Sequence, residues 1–411
     1  MSPPKRVGQD DGSAQAPKIL LVSAFRWISL ARTAIAFHEA GFAVSVLVPK
    51  GHPVEKLSFV TSIHAFNVFS AETSILQALK KAEPAILVPF DDIVVPILHG
   101  LHTKFGAESN IGALIEHSLG SPAFYPVIQS RLEFAKRLSA LSIASPQTYG
   151  LRSAEDLRGA VEKLGTPVVL KSDGSWGGLG VAIVPTPDGL RLEFGKLTAH
   201  HNVFRAVKRA VFNRDFTMLN GMFRRKVKSV VAQQFLPGRP ANAAVACWRG
   251  EVLASVNLEV IQSAGETGPA TVVRHIDSLA MTQAIKAIVR DLKLSGICGF
   301  DFILSGPENQ AQMIEMNPRS VPTVHLVNDL GQSLCHLLFE KVTGLAGPLV
   351  KMVPQLDVIA LFPQEALRDP ESPYLSYCYH DVPMHWPEYV ELATGKSAVH
   401  RPTPMGLPHK V

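Results

Sequence analysis

The stretch CGFDFILSGPENQAQMIEMNPR, residues 298–319, restricts what this chain can fold into more than any other. Two strand-length apolar segments, Gly299 to Leu304 and Met313 to Met316, flank SGPENQ, whose Gly-Pro and Asn read as a turn, so a β-hairpin is predicted. Side chains alternate along a strand, which sets Asp301 on one face and Phe300 and Phe302 on the other. The same period puts Glu315 and Asn317 on a shared face, with Ile314 and Met316 turned away. Paired strands would then project an Asp, a Glu and an Asn towards one place, with Arg319 two residues further on. Hard oxygen donors on an apolar hairpin suit Mg2+, which takes one or two carboxylates and leaves its other positions to phosphate oxygens and water. The alternation also fits an ordinary hairpin with a polar outer face.

A chain of 411 residues implies two to three domains, at about 150 residues each. With 46% hydrophobic and 18% charged residues it can bury sizeable cores. Forty basic against 35 acidic residues give a formal +5, too mild to argue for a nucleic-acid partner. The four cysteines, at 247, 298, 335 and 378, show neither a CxxC pair nor zinc spacing, and read as isolated thiols in a reducing compartment. The first residues lack the apolar core of a secretory signal, and no apolar run approaches the roughly 20 residues that span a bilayer. A soluble, cytoplasmic protein with no membrane partner is expected.

Taken in order, Lys18 to Ser23 is a predicted buried strand, followed by a helix to about Ala40, a strand from Ala43 to Val48, a helix from Leu76 to Ala82 and a strand from Ala85 to Pro89. Such alternation implies a parallel sheet, whose ligands gather at the carboxyl ends of the strands, here Ser23 to Trp27 and Phe90 to Asp92. No GxGxxG follows the first strand, and Asp91 and Asp92 read as helix caps rather than ligands. A junction is expected near Gly120-Ser121-Pro122, with an amphipathic helix from Ser130 and another from Asp156 to Lys163.

In TPVVLKSDGSWGGLGVAIV a strand ends in Lys171, and Gly174, Gly177, Gly178 and Gly180 make a loop before a second strand. Glycines let backbone N–H groups close on phosphate oxygens, and Lys171 would add a point charge; a glycine-rich hairpin without a ligand fits equally well. Between His201 and Val230, eight basic residues face one acid, Asp215: a solvated helix face, or a surface for an anionic substrate or partner. Val230 to Gln234 is a strand entering Pro237-Gly238, followed by a hairpin around Trp248-Arg249-Gly250 and helices over Met281 to Leu292 and Leu330 to Thr343. From about Gly347 the chain reads as an extended, proline-rich arm in which His380-Asp381 and His385 serve turns and packing rather than a site.

A basic residue opening a helix (Arg131), a Lys before a glycine loop, a strand entering Pro-Gly and the carboxylate hairpin stand here in a fixed order. Together they resemble the ATP-grasp superfamily, the carboxylate–amine ligases that include biotin carboxylase and carbamoyl-phosphate synthetase, over about Ser121 to Gly344. The fold implied is α/β, turning α+β in the ATP-grasp part. It comprises a tail at 1–17, an N-terminal Rossmann-like parallel-sheet domain at 18–120, an ATP-grasp domain at 121–345 and a C-terminal extension at 346–411. The resemblance assigns Arg131 and Lys171 to the phosphates and Ser172 to Gly180, with Ser175, Gly177 and Gly178, to a covering loop. Gln233, Gln234, Phe235 and Leu236 become the hinge that meets adenine, and Asp301, Glu315 and Asn317 the metal ligands. Arg319 would stabilise the transferring phosphoryl group, and Arg274 falls where a further phosphate-contacting cation is expected.

Three departures stand out. The first hinge position is Gln233 rather than Glu, Asp301 replaces the commoner Glu, and Pro240 falls where an acid holds the ribose, a role left to Asn242. The implied cofactors are ATP and Mg2+, with Mn2+ an alternative. The implied activity joins a small-molecule carboxylate, activated as an acyl phosphate, to an amine, with release of ADP and phosphate; the resemblance leaves room for a homodimer. Two other readings stay open: a bicarbonate-activating carboxylase-type subunit, which lacks a Met-Lys-Met biotin site of its own, and a nucleotide-binding module without turnover.

Overall fold

The computed structural model describes residues 16–174, 180–198, 229–265, 268–306, 310–348 and 357–394. The loop positions Ser175, Gly177 and Gly178, the basic residues of 205–228 and both chain ends lie outside the described residues.

The first sheet is parallel throughout, as the alternation predicts: β1 (Lys18–Val22), β2 (Ala43–Val48), β3 (Ser62–Ala65) and β4 (Ile86–Pro89), in the order β3-β2-β1-β4. Strand β1 sends Ile19 and Leu21 into one core and Leu20 and Val22 into another. Burial on both faces explains its unbroken apolar run. The edge strand β3, Ser-Ile-His-Ala, is too short and too polar to have been predicted. Helix Asn110–Leu119 then ends at Gly120, whose φ of +97° a side chain would rarely adopt, and Gly120 bridges to Leu294. The expected junction is thus a point of contact between the first sheet's last helix and the turn leading into the large sheet.

A second, antiparallel sheet holds β5 (Thr148–Leu151), β6 (Val168–Ser172), β7 (Val181–Val184) and β8 (Val230–Gln234), in the order β5-β8-β6-β7. Helices Ala154–Leu164 and Pro187–Thr198 give it a small core of its own, with Leu157, Leu170 and Leu190 buried together. The chain enters and leaves this sheet side by side: Thr148 pairs with Gln233, and Gln234 N–H donates to Gln147 O at 2.9 Å.

The third sheet has seven strands: β9 (Arg239–Trp248), β10 (Glu251–Ser263), β11 (Ala270–His275), β12 (Gly296–Ser305), β13 (Gln310–Asn317), β14 (Val358–Ala360) and β15 (Tyr379–His380). Their order is β13-β12-β9-β10-β11-β14-β15, antiparallel except for the last pair. Helix Leu279–Leu292 covers one face over Phe300, Phe302 and Met313. Each such side chain contributes roughly 1.5–3 kcal/mol by leaving water. The other face shares a single core with β1, β2 and helix Leu334–Thr343.

The C-terminal segment differs from the extended arm expected of it. Strand β14 pairs with β11, and helices Gln364–Arg368, Tyr374–Tyr377 and Pro387–Thr394 follow, the last burying Tyr389 in the shared core. The prolines and aromatics that suggested an arm serve short packed helices. Asp381 is buried: Arg32 Nη2 donates to it at 2.9 Å, and His325 Nε2 lies 2.6 Å from its other oxygen. The sequence assigns Asp381 to a turn or packing; the structure instead sets it in buried polar contact with Arg32 and His325. Among the described residues, no helix is long and apolar enough to cross a membrane.

Candidate active site

Strand β8 closes the small sheet at Gln234, and β9 opens the large one at Arg239, so Phe235 to Gly238 link two sheets. The link runs tightly against the hairpin, because a Cβ at Gly238 would collide with Leu304 O. Between the sheets lies a cavity of about 420 Å³. Val169, Lys171, Val181, Ile183, Gln233 and Gln234 line it from the small sheet, Phe235 and Leu236 from the link, and Asn242, Asp301, Glu315, Asn317 and Arg319 from the large sheet and its hairpin.

The hairpin forms as predicted, with Asp301 opposite Glu315 and Gly299 opposite Asn317. One detail differs. The register slips after Asp301, so that Phe302 faces Met313 and Ile314 becomes the extra residue of a bulge. Met313 is therefore the residue driven into the core, while Ile314, expected to turn away, lines the cavity beside Glu315.

The polar groups form two chains side by side on the cavity wall, one centred on Glu315 and one running from Asp301 through Asn317 to Arg319. Arg131 Nη1 donates to Glu315 Oε1 at 2.9 Å, and Lys171 Nζ lies 3.6 Å from Glu315 Oε2. Asn317 Nδ2 donates to Asp301 Oδ2 at 3.0 Å. Arg319 Nη2 donates to Asn317 Oδ1 at 3.2 Å, and Arg319 Nε to Asp92 Oδ2 at 2.8 Å. Arg131 opens helix Arg131–Ala140, whose N-cap Ser130 Oγ accepts from Glu133 N, a contact worth about 1 kcal/mol.

Burial sets the electrostatics. It pushes the Asp301 carboxyl up to about 6, with the Glu315 charge adding to the effect. Burial acts the same way on Glu315, but Arg131, Lys171 and Arg319 outweigh it and hold Glu315 below the usual carboxylate range. The Lys171 ammonium is lowered by desolvation, although Glu315 opposes the shift.

Among the described residues, no three His, Cys, Asp or Glu side chains are grouped for a metal. Two carboxylates and an amide oxygen do face one another here, which is the donor set a hard cation needs when phosphate oxygens and water complete its shell. The mutual crowding of Asp301 and Glu315 is what such a cation would relieve, so the residues fit Mg2+.

Of the remaining candidates, Gln233 donates to Thr148 Oγ1 at 3.1 Å, and Gln234 Oε1 accepts from Gln147 N at 3.4 Å. Asn242 lines the cavity with its Oδ1 buried and without a partner. Arg274 is not among the lining residues; its half-exposed guanidinium lies 3.7 Å from Glu259 on the neighbouring strand.

Asp92 was missed. The two adjacent aspartates divide their work: Asp91 caps the following helix, its Oδ1 accepting from Ile93 and Val94 N–H, whereas Asp92 binds Arg319. Its position at the carboxyl end of β4 was the available signal. Leu361 and Gln364 of the C-terminal segment also line the cavity, and nothing in their local sequence announces it. A smaller cavity of about 140 Å³ shares Arg131, Lys171 and Glu315 and reaches Asp92, Gln129 and Phe134.

Residues 131–329 match the family described as the carbamoyl-phosphate synthase L chain, ATP binding domain. No curated protein sequence matches. Among solved structures, N5-carboxyaminoimidazole ribonucleotide synthetase from Thermus thermophilus superposes with a TM-score of 0.57 at 16% identity, over 80% of this chain and 79% of that one. The biotin carboxylase domain of 2-oxoglutarate carboxylase from Hydrogenobacter thermophilus, in complex with MgADP and bicarbonate, gives 0.58 at 14%, over 81% and 71%. An L-amino acid ligase from Bacillus licheniformis gives 0.55 at 15%, over 80% and 75%.

Proposed function

On the premise that residues 131–329 are an ATP-binding domain of the ATP-grasp superfamily, we propose that this protein is an ATP-dependent ligase joining a small carboxylate to an amine. The observation that carries the reading is the polar chain Arg131–Glu315–Lys171 with Asp301–Asn317–Arg319 on the wall of the inter-sheet cavity. Three cations and two carboxylates concentrated there are costly to bury, and phosphoryl transfer is chemistry that uses such an arrangement.

ATP enters with adenine against Gln233 to Leu236 and its phosphates towards Lys171 and Arg131, and Asn242 Oδ1 finds in the ribose hydroxyls the donor it lacks. Mg2+, when bound at Asp301, Glu315 and Asn317, supplies charge neutralisation for the polyphosphate. Arg319 fixes the substrate carboxylate and stabilises charge on the phosphoryl group as it moves. The carboxylate oxygen bonds to the γ-phosphorus as its bond to ADP breaks. The amine nitrogen then bonds to the acyl carbon, phosphate leaves, and the nitrogen loses its proton.

ADP and phosphate release by the purified protein with Mg-ATP and pooled amino acids, small dicarboxylates or bicarbonate tests the proposal, with Glu315→Ala as the blank. Release that requires both a carboxylate and an amine supports it. Release with bicarbonate alone replaces it by a carboxylase-type reaction, and ATP binding with no release above the blank replaces it by a binding module.

A further inference from the structure

The inter-sheet cavity has a wall that the nucleotide reading leaves unused. Val321, Pro322 and Thr323, just beyond the hairpin, form it together with Leu361 and Gln364 of the C-terminal segment. Its place is beside the reacting groups: Val321 packs so closely on Gly299 that a Cβ there would strike it, and Gly299 is the cross-strand partner of Asn317. Leu361 is fixed to the same sheet, its N–H donating to Thr271 O on β11 at 2.9 Å.

None of these five side chains is charged. Four are apolar or small, and the fifth carries an unsatisfied group: Gln364 Oε1 is buried without a hydrogen-bond partner. A buried acceptor left unpaired calls for a donor, which an ordered water or a ligand group supplies, and of the atoms in this state Gln364 Oε1 belongs to a residue that lines the cavity. The backbone carrying Gln364 is held by its neighbour Glu365, which is buried and accepts from Arg368 Nε at 2.8 Å. The amide is thus presented from a fixed support.

Resting on the ligase reading, we infer that this wall selects the carboxylate substrate: a small acid with an apolar body and one N–H or O–H donor for Gln364, as in a branched-chain amino or hydroxy acid. Its carboxylate reaches Arg319, its hydrocarbon part lies on Val321, Pro322 and Leu361, and its donor meets Gln364 Oε1. A second carboxylate or a basic side chain would find no counter-charge on this wall and would be rejected by desolvation, whereas an α-ammonium has its counter-charge in the adjacent substrate carboxylate.

The test is calorimetric titration of the full chain, with ADP and Mg2+ present, using L-leucine, 2-hydroxyisocaproate, succinate, L-glutamate and L-lysine. Wild type is expected to bind leucine or the hydroxy acid at least tenfold more tightly than the other three. Gln364→Leu should weaken that binding at least tenfold while leaving ADP affinity unchanged; in turnover, the KM for the acid should rise and the KM for ATP stay constant. Preference for a charged acid, binding of none of the five, or equal loss of ADP and acid affinity in Gln364→Leu overturns the inference. The two readings separate cleanly. Gln364-dependent acid binding without phosphate release from any amine removes the ligase and keeps the subsite, whereas release driven only by charged acids does the reverse.

Discussion

The Arg319 side chain is held from two directions, by Asn317 at the end of β13 and by Asp92 just beyond the end of β4. Removing the Asp92 charge takes away the only carboxylate that orients the guanidinium among the described residues and leaves it to Asn317 and the Ser320 carbonyl. Asp92→Asn is expected to lower kcat about tenfold with little change in the KM for ATP, as steady-state kinetics would show. Asp301 gives a pH signature. Its carboxyl is pushed up to about 6, so it becomes a competent cation ligand only as pH rises through that value, and Mg2+-dependent ADP binding should strengthen between pH 5 and about 7. The effect on the unliganded fold has the opposite sign. The folded state keeps this proton longer than the unfolded chain does, so the group's contribution to stability declines as pH rises from about 4 to 6. Asp301, Glu315, Asn317 and Arg319 were legible because period-2 alternation is local. The orientation of Ile314 was not, since a bulge leaves no mark on composition, and neither was Asp92, whose partner lies 227 positions away.

Among the elements, the link from Phe235 to Gly238 governs the cavity because it joins the two sheets that enclose it. Gly238→Ala places a methyl group against Leu304 O, where β12 ends. Such overpacking costs about 1–3 kcal/mol. The expected result is a lower melting temperature together with weaker ATP binding, read by thermal unfolding and by titration. The strands on either side of the link were visible in sequence, since apolar runs meet Pro-Gly there. Strand β3 and the two-residue β15 were not, because elements that short take their conformation from the strands they pair with. The C-terminal helices were hidden for a related reason: they have five, four and eight residues, and prolines open or precede them.

Over the whole molecule, the first and third sheets share one core, while the small sheet has another. Native-state hydrogen exchange should therefore show β1, β2, β9 and β10 protected to a common, highest level, with β6 and β7 opening at lower free energy. Asp381 fastens three distant parts of that larger unit, helix Ile28–Glu39 through Arg32, the segment after the hairpin through His325, and the C-terminal segment itself. His325 and Arg32 hold its carboxyl down to about 2 against the opposing effect of burial. The resulting stabilisation, about 2 kcal/mol, is present above pH 4 and is lost as pH falls towards 2. Asp381→Asn should lower the urea midpoint by at least that equivalent at pH 7 and by progressively less in acid.

The adjacent entry and exit of the small sheet, at Gln147–Thr148 and Gln233–Gln234, make its described strands and helices a cassette entered and left side by side. A chain in which a short turn joins Gln147 directly to Phe235 would lose the small sheet and keep the core that the other two sheets share. By the same logic, a foreign unit spliced in there would have to replace the contacts that Lys171, Ser172 and Asp173 make to Glu315 and Arg131.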